Sequence, residues 1–149
     1  MNAQIRADPL EAFTAAFTSN DLESLYRLIS ADAEWMIMAT GETFRGLDQI
    51  KRLTEGSVAA RTHRGPLGTK PTNVFSSADG SKLCLEYTYT GAVIDRWPAS
   101  SPQRPAPGKT FELPIILVAE ISQGRIIRMR EYFDLLTLTE SGAPHHLYS

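Results

Sequence analysis

A chain of 149 residues has room for one domain with a real hydrophobic core and is short for two. Hydrophobic residues make up 42% and charged residues 21%, and a net charge of -2 at pH 7 gives no electrostatic pull toward nucleic acid or an anionic membrane surface. The one cysteine, Cys84, cannot close an internal disulfide, and the three histidines lack metal-ligand spacing, so neither redox nor metal chemistry is expected.

The amino terminus, MNAQIRADPLEAF, has no continuous apolar run ahead of a small-residue cleavage site, and no later run reaches membrane-spanning length. The chain therefore reads as a cytoplasmic protein with no membrane partner. Asp8-Pro9 followed by Glu11 predicts a helix start: Asp8 caps free amides, Pro9 loses nothing at the first helical position, and Glu11 closes the capping box. This helix should run to about Phe17. Asn20 or Asp21 caps a second helix with an apolar stripe of Leu22, Leu25, Tyr26, Leu28 and Ile29, ending before Asp32. Residues 34 to 39, EWMIMA, predict a short strand. Gly41 to Arg45 read as a turn, and Gly46 precedes a third helix carrying Leu47, Ile50 and Leu53.

After RGPLGTKP the pattern changes to strands. TNVFSS and KLCLEYTYTG flank SADGS, where Asp79-Gly80 suits a tight hairpin turn. A third run, Lys109 to Ile121, leads through SQGR into RIIRMREYF, so the carboxyl-terminal half should be an antiparallel meander. Pro114 within the third run predicts an edge or bulged position, because proline has no amide hydrogen to donate. Between the second and third strands, the proline-rich stretch 92–108 reads as an ordered excursion. Its Trp97 either fills an apolar gap or subunit seam, or belongs to a lid over a pocket.

Strand side chains alternate, so each run divides into two faces. Leu83, Leu85, Tyr87 and Tyr89 form the better core face of one strand; Phe111, Leu113, Ile115, Leu117, Ala119 and Ile121 form that of the next. In the last strand Ile127, Met129, Glu131 and Phe133 share a face, opposite Ile126, Arg128, Arg130 and Tyr132. A curved sheet wrapped on the early helices can leave an apolar hollow with a few polar groups, here Glu131, Tyr87 and Tyr89. Burial should disfavour the glutamate anion and suit the group to exchange a proton near neutral pH, while tyrosine hydroxyls orient a substrate or donate to developing oxygen charge. The plainer alternative is a structural network in which these groups satisfy one another. Trp35, Ile37 and Met129 read as wall. His63 reads as a helix-end residue, and His145 and His146 as part of the tail.

The segments NDLESLYRLISADAEW, ETFRGLDQI and GKTFELPIILVAEISQGRIIRMREYFDL, in this order, resemble the NTF2-like superfamily in its SnoaL-like and limonene-epoxide-hydrolase-like branches. The resemblance implies an α+β cone, with a strongly curved mixed β-sheet packed against N-terminal helices around a pocket, and a homodimer. Limonene epoxide hydrolases use an Asp-Arg-Asp set. Matched onto this chain, their last-strand acid is Glu131, the arginine and second aspartate fall on Tyr87 and Tyr89, and the water-holding residues fall near Trp35 and Ile37. With one carboxylate left, the push and pull on an epoxide is not assembled. Ketosteroid isomerases are similar in fold, but their tyrosine position falls on Phe13 and their base near Ile37, so that site is absent too. The resemblance to SnoaL-like cyclases implies a cofactor-independent proton transfer, by cyclisation or isomerisation, on a small apolar carbonyl-containing metabolite. Glu131 would be the acid-base group, Tyr87 and Tyr89 its supports, and Trp35, Ile37, Met129, Leu113, Ile115, Phe133 and Trp97 the ligand wall. The alternative is a noncatalytic module that binds a small hydrophobic ligand or dimerises.

Overall fold

The computed structural model describes residues 8–19, 21–62, 69–92 and 110–134. Helix α1 spans Pro9–Ser19 and starts as its sequence predicts, with Asp8 Oδ1 accepting from the Leu10 amide at 3.0 Å. It runs past Phe17, and the Thr18 and Ser19 hydroxyls donate back to the carbonyls of Thr14 and Ala15. Helix α2 spans Leu22–Leu28; Asp21 is its cap, accepting from the Ser24 amide at 3.1 Å. Ile29 is already extended at φ -97 and ψ 134, so α2 passes into strand β1, Ile29–Ile37, without a loop.

The next segment differs from its predicted turn. The chain reverses at Gly41, φ 77, and Glu42–Arg45 forms a strand, β2, antiparallel to β1. Four residues with polar ends carry no readable alternation, and what makes ETFR a strand is the edge that β1 offers it. Gly46 follows at φ 78, with its amide on the Ala33 carbonyl at 2.8 Å, and opens helix α3, Leu47–Thr62.

Strands β3 (Thr69–Ser76), β4 (Lys82–Ala92), β5 (Thr110–Ser122) and β6 (Arg125–Tyr132) form the expected antiparallel meander. The β5–β6 turn has Gln123 and Gly124 both at positive φ, which matches the right-handed twist of a two-residue hairpin. The sheet is six-stranded, ordered β2-β1-β6-β5-β4-β3. Only β1 and β6 are parallel, so the sheet is mixed and β6 lies at its centre. Pro114 sits in a central strand, contrary to the edge expectation for the strand as a whole. Locally the proline logic holds: Pro114 pairs with Thr88 on β4, while pairing with β6 begins only at Ile116.

One face of the sheet carries the helices. Its core joins Phe13 and Ala16 of α1, Leu25 of α2 and Ile50 and Leu53 of α3 to Trp35, Ile37, Leu85, Leu113, Leu117 and Met129. The architecture is α+β, a mixed sheet packed against helices. Face parity needs one correction: Ile126 is buried and Ile127 is 39% exposed. The β5–β6 register slips between Glu120 and Ile121, so strict counting back from Met129 assigns the wrong isoleucine to the core.

Candidate functional site

Strand β6 holds the one acid of the described residues that is buried on the helix-covered face. Glu131 is 4% exposed and lies in a row with Ile37 of β1 and Leu117 of β5, both buried. Its backbone is fixed as well, because the Met38 amide donates to the Glu131 carbonyl at 2.9 Å. Trp35, also 4% exposed, sits two residues before Ile37 on the same side of β1, and its indole Nε1 donates to Glu131 Oε2 at 2.9 Å. The indole is one of the partners of this carboxylate. A buried carboxylate demands donors, and a charge-assisted bond from a rigid ring both satisfies and orients it.

The other expected site residues fall into three groups. Ile37, Leu113 and Met129 have no exposed surface and Ile115 has 3%, so with Trp35 they form an apolar field around the acid's strand. Phe133 is half-buried and packs against the same core. Tyr87 is buried on the core face, where Phe17 meets its ring edge-on at 5.1 Å. The register sets Tyr87 opposite Ile115, one row along from Glu131 and two strands away; the row of Glu131 crosses β4 at Leu85. Tyr89 pairs with Leu113 and Thr69, but its side chain lies outside the described residues. Trp97, the rest of the 92–108 stretch beyond Ala92, and His63, His145 and His146 lie outside them too.

An open depression of about 660 Å³ lies where β4, β5 and the end of β6 meet. Tyr87, Ile115 and Phe133 line it together with Glu86, Pro114, Tyr132 and Asp134, and Glu131 does not. No group of three or more His, Cys, Asp or Glu side chains among the described residues could hold a metal ion. No helix among them is long and apolar enough to cross a membrane.

Sequence reading placed Glu131 on the inner face and missed its bond to Trp35, which lies 96 positions away. The available signal was alternation in β1, where Ala33, Trp35 and Ile37 are buried in turn. What the alternation could not supply was the parallel β1–β6 register that brings the two side chains together.

The SnoaL-like domain family matches residues 10–129. The chain belongs to this family. The SnoaL-like resemblance read from the sequence is thereby borne out. Solved structures repeat the SnoaL-like fold. A candidate polyketide cyclase from Pseudomonas putida superposes with a TM-score of 0.70 at 24% identity, covering 89% of this chain and 94% of that one. A SnoaL-like candidate cyclase from a Jannaschia species gives 0.72 at 16% identity, covering 97% and 98%. A hypothetical protein of ketosteroid isomerase-like fold from Catenulispora acidiphila, solved with trimethylamine, gives 0.65 at 21% identity, covering 93% and 95%. At these identities the likeness establishes the fold and no activity. No curated protein matches the sequence.

Proposed function

We propose that this SnoaL-like protein is a cofactor-independent proton-transfer enzyme, a cyclase or isomerase acting on a small apolar carbonyl-containing metabolite in the cytoplasm. The observation that carries the reading is Glu131: a carboxyl side chain held by a donor at the centre of an apolar sheet face, on the strand where the SnoaL-like resemblance puts the acid-base group. In this reading the sheet and helices close as a cone around the ligand. Trp35, Ile37, Met129, Leu113, Ile115 and Phe133 supply apolar wall, and Tyr87 and Tyr89 meet the ligand's far end from β4, with Trp97 on the cover.

The chemistry balances with one shuttled proton. Ionised Glu131 takes a proton from the carbon beside the carbonyl, and the electron pair left behind moves onto the carbonyl oxygen as an enolate. Returning the proton to another carbon completes an isomerisation. In an aldol closure the enolate carbon bonds to a second carbonyl carbon of the same molecule, and the oxygen of that carbonyl takes the proton.

The test is deuterium incorporation into β-tetralone, an apolar ketone with acidic hydrogens, in D2O. Glu131→Gln keeps size and hydrogen bonding but cannot exchange a proton, so incorporation should fall about 100-fold or more. Incorporation at the unsubstituted rate would remove Glu131 from the chemistry.

A second reading, a noncatalytic module that binds an apolar ligand or a second copy of itself, is favoured by the sheet face that carries no helix among the described residues. Ile116 and Tyr132 are cross-strand partners there, 42% and 40% exposed. The adjoining Glu34, Glu120, Arg128 and Arg130 carry both signs, so the patch has no single-sign field to repel a second copy. In this reading Ile116→Asp shifts a dimer to monomer in sedimentation, and an unsubstituted chain that sediments as a monomer defeats the self-association half of it.

A further inference from the structure

On the sheet face away from the described helices, Glu34 and Glu120 meet the guanidinium groups of Arg45, Arg128 and Arg130. Glu86 stands half-buried on the same face, and its carboxylate has no ion pair or hydrogen bond among the described residues. It pairs with Ile116 of β5, which pairs in turn with Tyr132 of β6, so an acid, an aliphatic side chain and a phenol ring form one row across three strands. Thr88 and Pro114 make the next row. Beside Glu86 the β3 register slips between Pro71 and Asn73, and the Thr72 hydroxyl donates to the Glu86 carbonyl at 3.2 Å, which anchors that side. These residues line the open depression of about 660 Å³, a size common to small-molecule sites. Three aromatic residues, Tyr87, Tyr132 and Phe133, and two acids, Glu86 and Asp134, belong to it, and among the described residues no lysine, arginine or histidine does.

We propose that this depression binds a small organic ammonium ion, with Glu86 as its counter-ion and the Tyr132 ring receiving its alkyl groups. The site lies beyond the proton-transfer reading and does not depend on Glu131. The face of an aromatic ring is negative and attracts a cation, and the alkyl groups around the nitrogen suit contact with Ile116 and Pro114. A neutral apolar ligand would leave the Glu86 carboxylate against it without a partner, and an anion would meet the field of two acids. A second copy of the chain laid on Ile116 and Tyr132 would have to bring a cation to this point, since the arginines of this face already meet Glu34 and Glu120.

The probe is choline, with its uncharged isostere dimethylbutanol as control, titrated into the full chain and followed by amide-proton NMR, with sedimentation beside it. Choline should shift the amides of Glu86, Thr88, Ile116 and Tyr132, bind about tenfold more tightly than the alcohol, and weaken as salt is raised. Glu86→Gln keeps size and removes charge, and Tyr132→Leu keeps apolar surface and removes the ring. Each should weaken choline about fivefold and leave the alcohol nearly unchanged. Equal binding of choline and the alcohol would make the depression a plain apolar hollow and overturn the proposal. Unsubstituted choline affinity in Glu86→Gln, or shifts confined to other residues, would overturn it too. A chain that sediments as a dimer and takes up no choline gives this face to a second copy and overturns the site.

Discussion

Arg130 and Glu131 are neighbours in sequence and opposites in setting. Arg130 points to the face of the sheet away from the described helices, into a lattice where Arg45 meets Glu34, Arg128 reaches Glu34 and Glu120 at 3.8 and 3.3 Å, and Arg130 Nη1 meets Glu120 at 3.0 Å. Glu131 points to the helix side, among Ile37, Leu117 and Trp35. On the outer face charges of opposite sign lie within reach of one another, and the more exposed members, Arg45 and Arg128, matter little singly. On the inner face one carboxylate sits where an isolated charge is strongly disfavoured. A site that a fold would find easier to fill with leucine, and does not, is a place to look for chemistry. The lattice is a place to look for solubility and association.

The contrast is sharpest in stability. Ile37→Ala, opposite Glu131 and itself without exposed surface, should cost about 2–5 kcal/mol in denaturant unfolding, whereas Ile116→Ala on the outer face should stay within about 0.5 kcal/mol. Equal losses at the two positions would mean that the outer face is covered in solution. Next in size comes the acid's own bond. Glu131→Leu strands the Trp35 N–H and should cost about 1–3 kcal/mol, and adding Trp35→Phe should recover part of that loss, since the stranded donor is then removed. A double-mutant cycle with no coupling would separate the two residues energetically. Arg128→Ala, by contrast, removes a 46% exposed member of the lattice and should cost no more than about 1 kcal/mol, a loss that shrinks as salt is raised.

The two faces were legible in the sequence to different depths. Alternation placed Leu83, Leu85, Tyr87, Leu113, Leu117, Met129 and Glu131 on the core side, because a strand covered on one face repeats every second residue. It failed where that count is interrupted, at Ile126 and Ile127, because a bulge is a property of two paired strands and neither carries its mark alone. It missed β2 because four residues depend on a partner for their conformation. The site shows the same division. The face of Glu131 and Tyr87 was readable within one strand, but their separation by a row and two strands, and the meeting of Trp35 with Glu131, follow from register between distant segments. Caps and turns were the most legible: Asp8, Asp21 and the Asp79-Gly80 hairpin act on backbone within three residues of themselves.

Asp79 completes the comparison as an acid stabilised with no burial at all. At the β3–β4 turn its Oδ1 accepts from the Ser77 hydroxyl at 2.6 Å, the Ser81 amide at 3.0 Å and the Ser81 hydroxyl at 2.7 Å, and these bonds, that of Ser77 foremost, lower its pKa from 3.8 to about 2. A carboxyl that binds its proton more weakly when folded favours the fold wherever it is ionised. Its contribution is therefore complete above the unfolded value and is lost as pH falls from about 4 through about 2. Asp79→Asn should flatten that part of the stability-against-pH curve, with the difference from the unsubstituted chain vanishing at the acid end. The effect is small because the turn is open to water, and it is local because every partner lies within two residues. Glu131 differs on both counts: it is buried and its known donor comes from another strand, so replacing it tests the central pairing of the sheet, where replacing Asp79 tests one hairpin. A chain whose Asp79→Asn variant keeps the full acid sensitivity between pH 4 and 2 would place that sensitivity elsewhere than this turn.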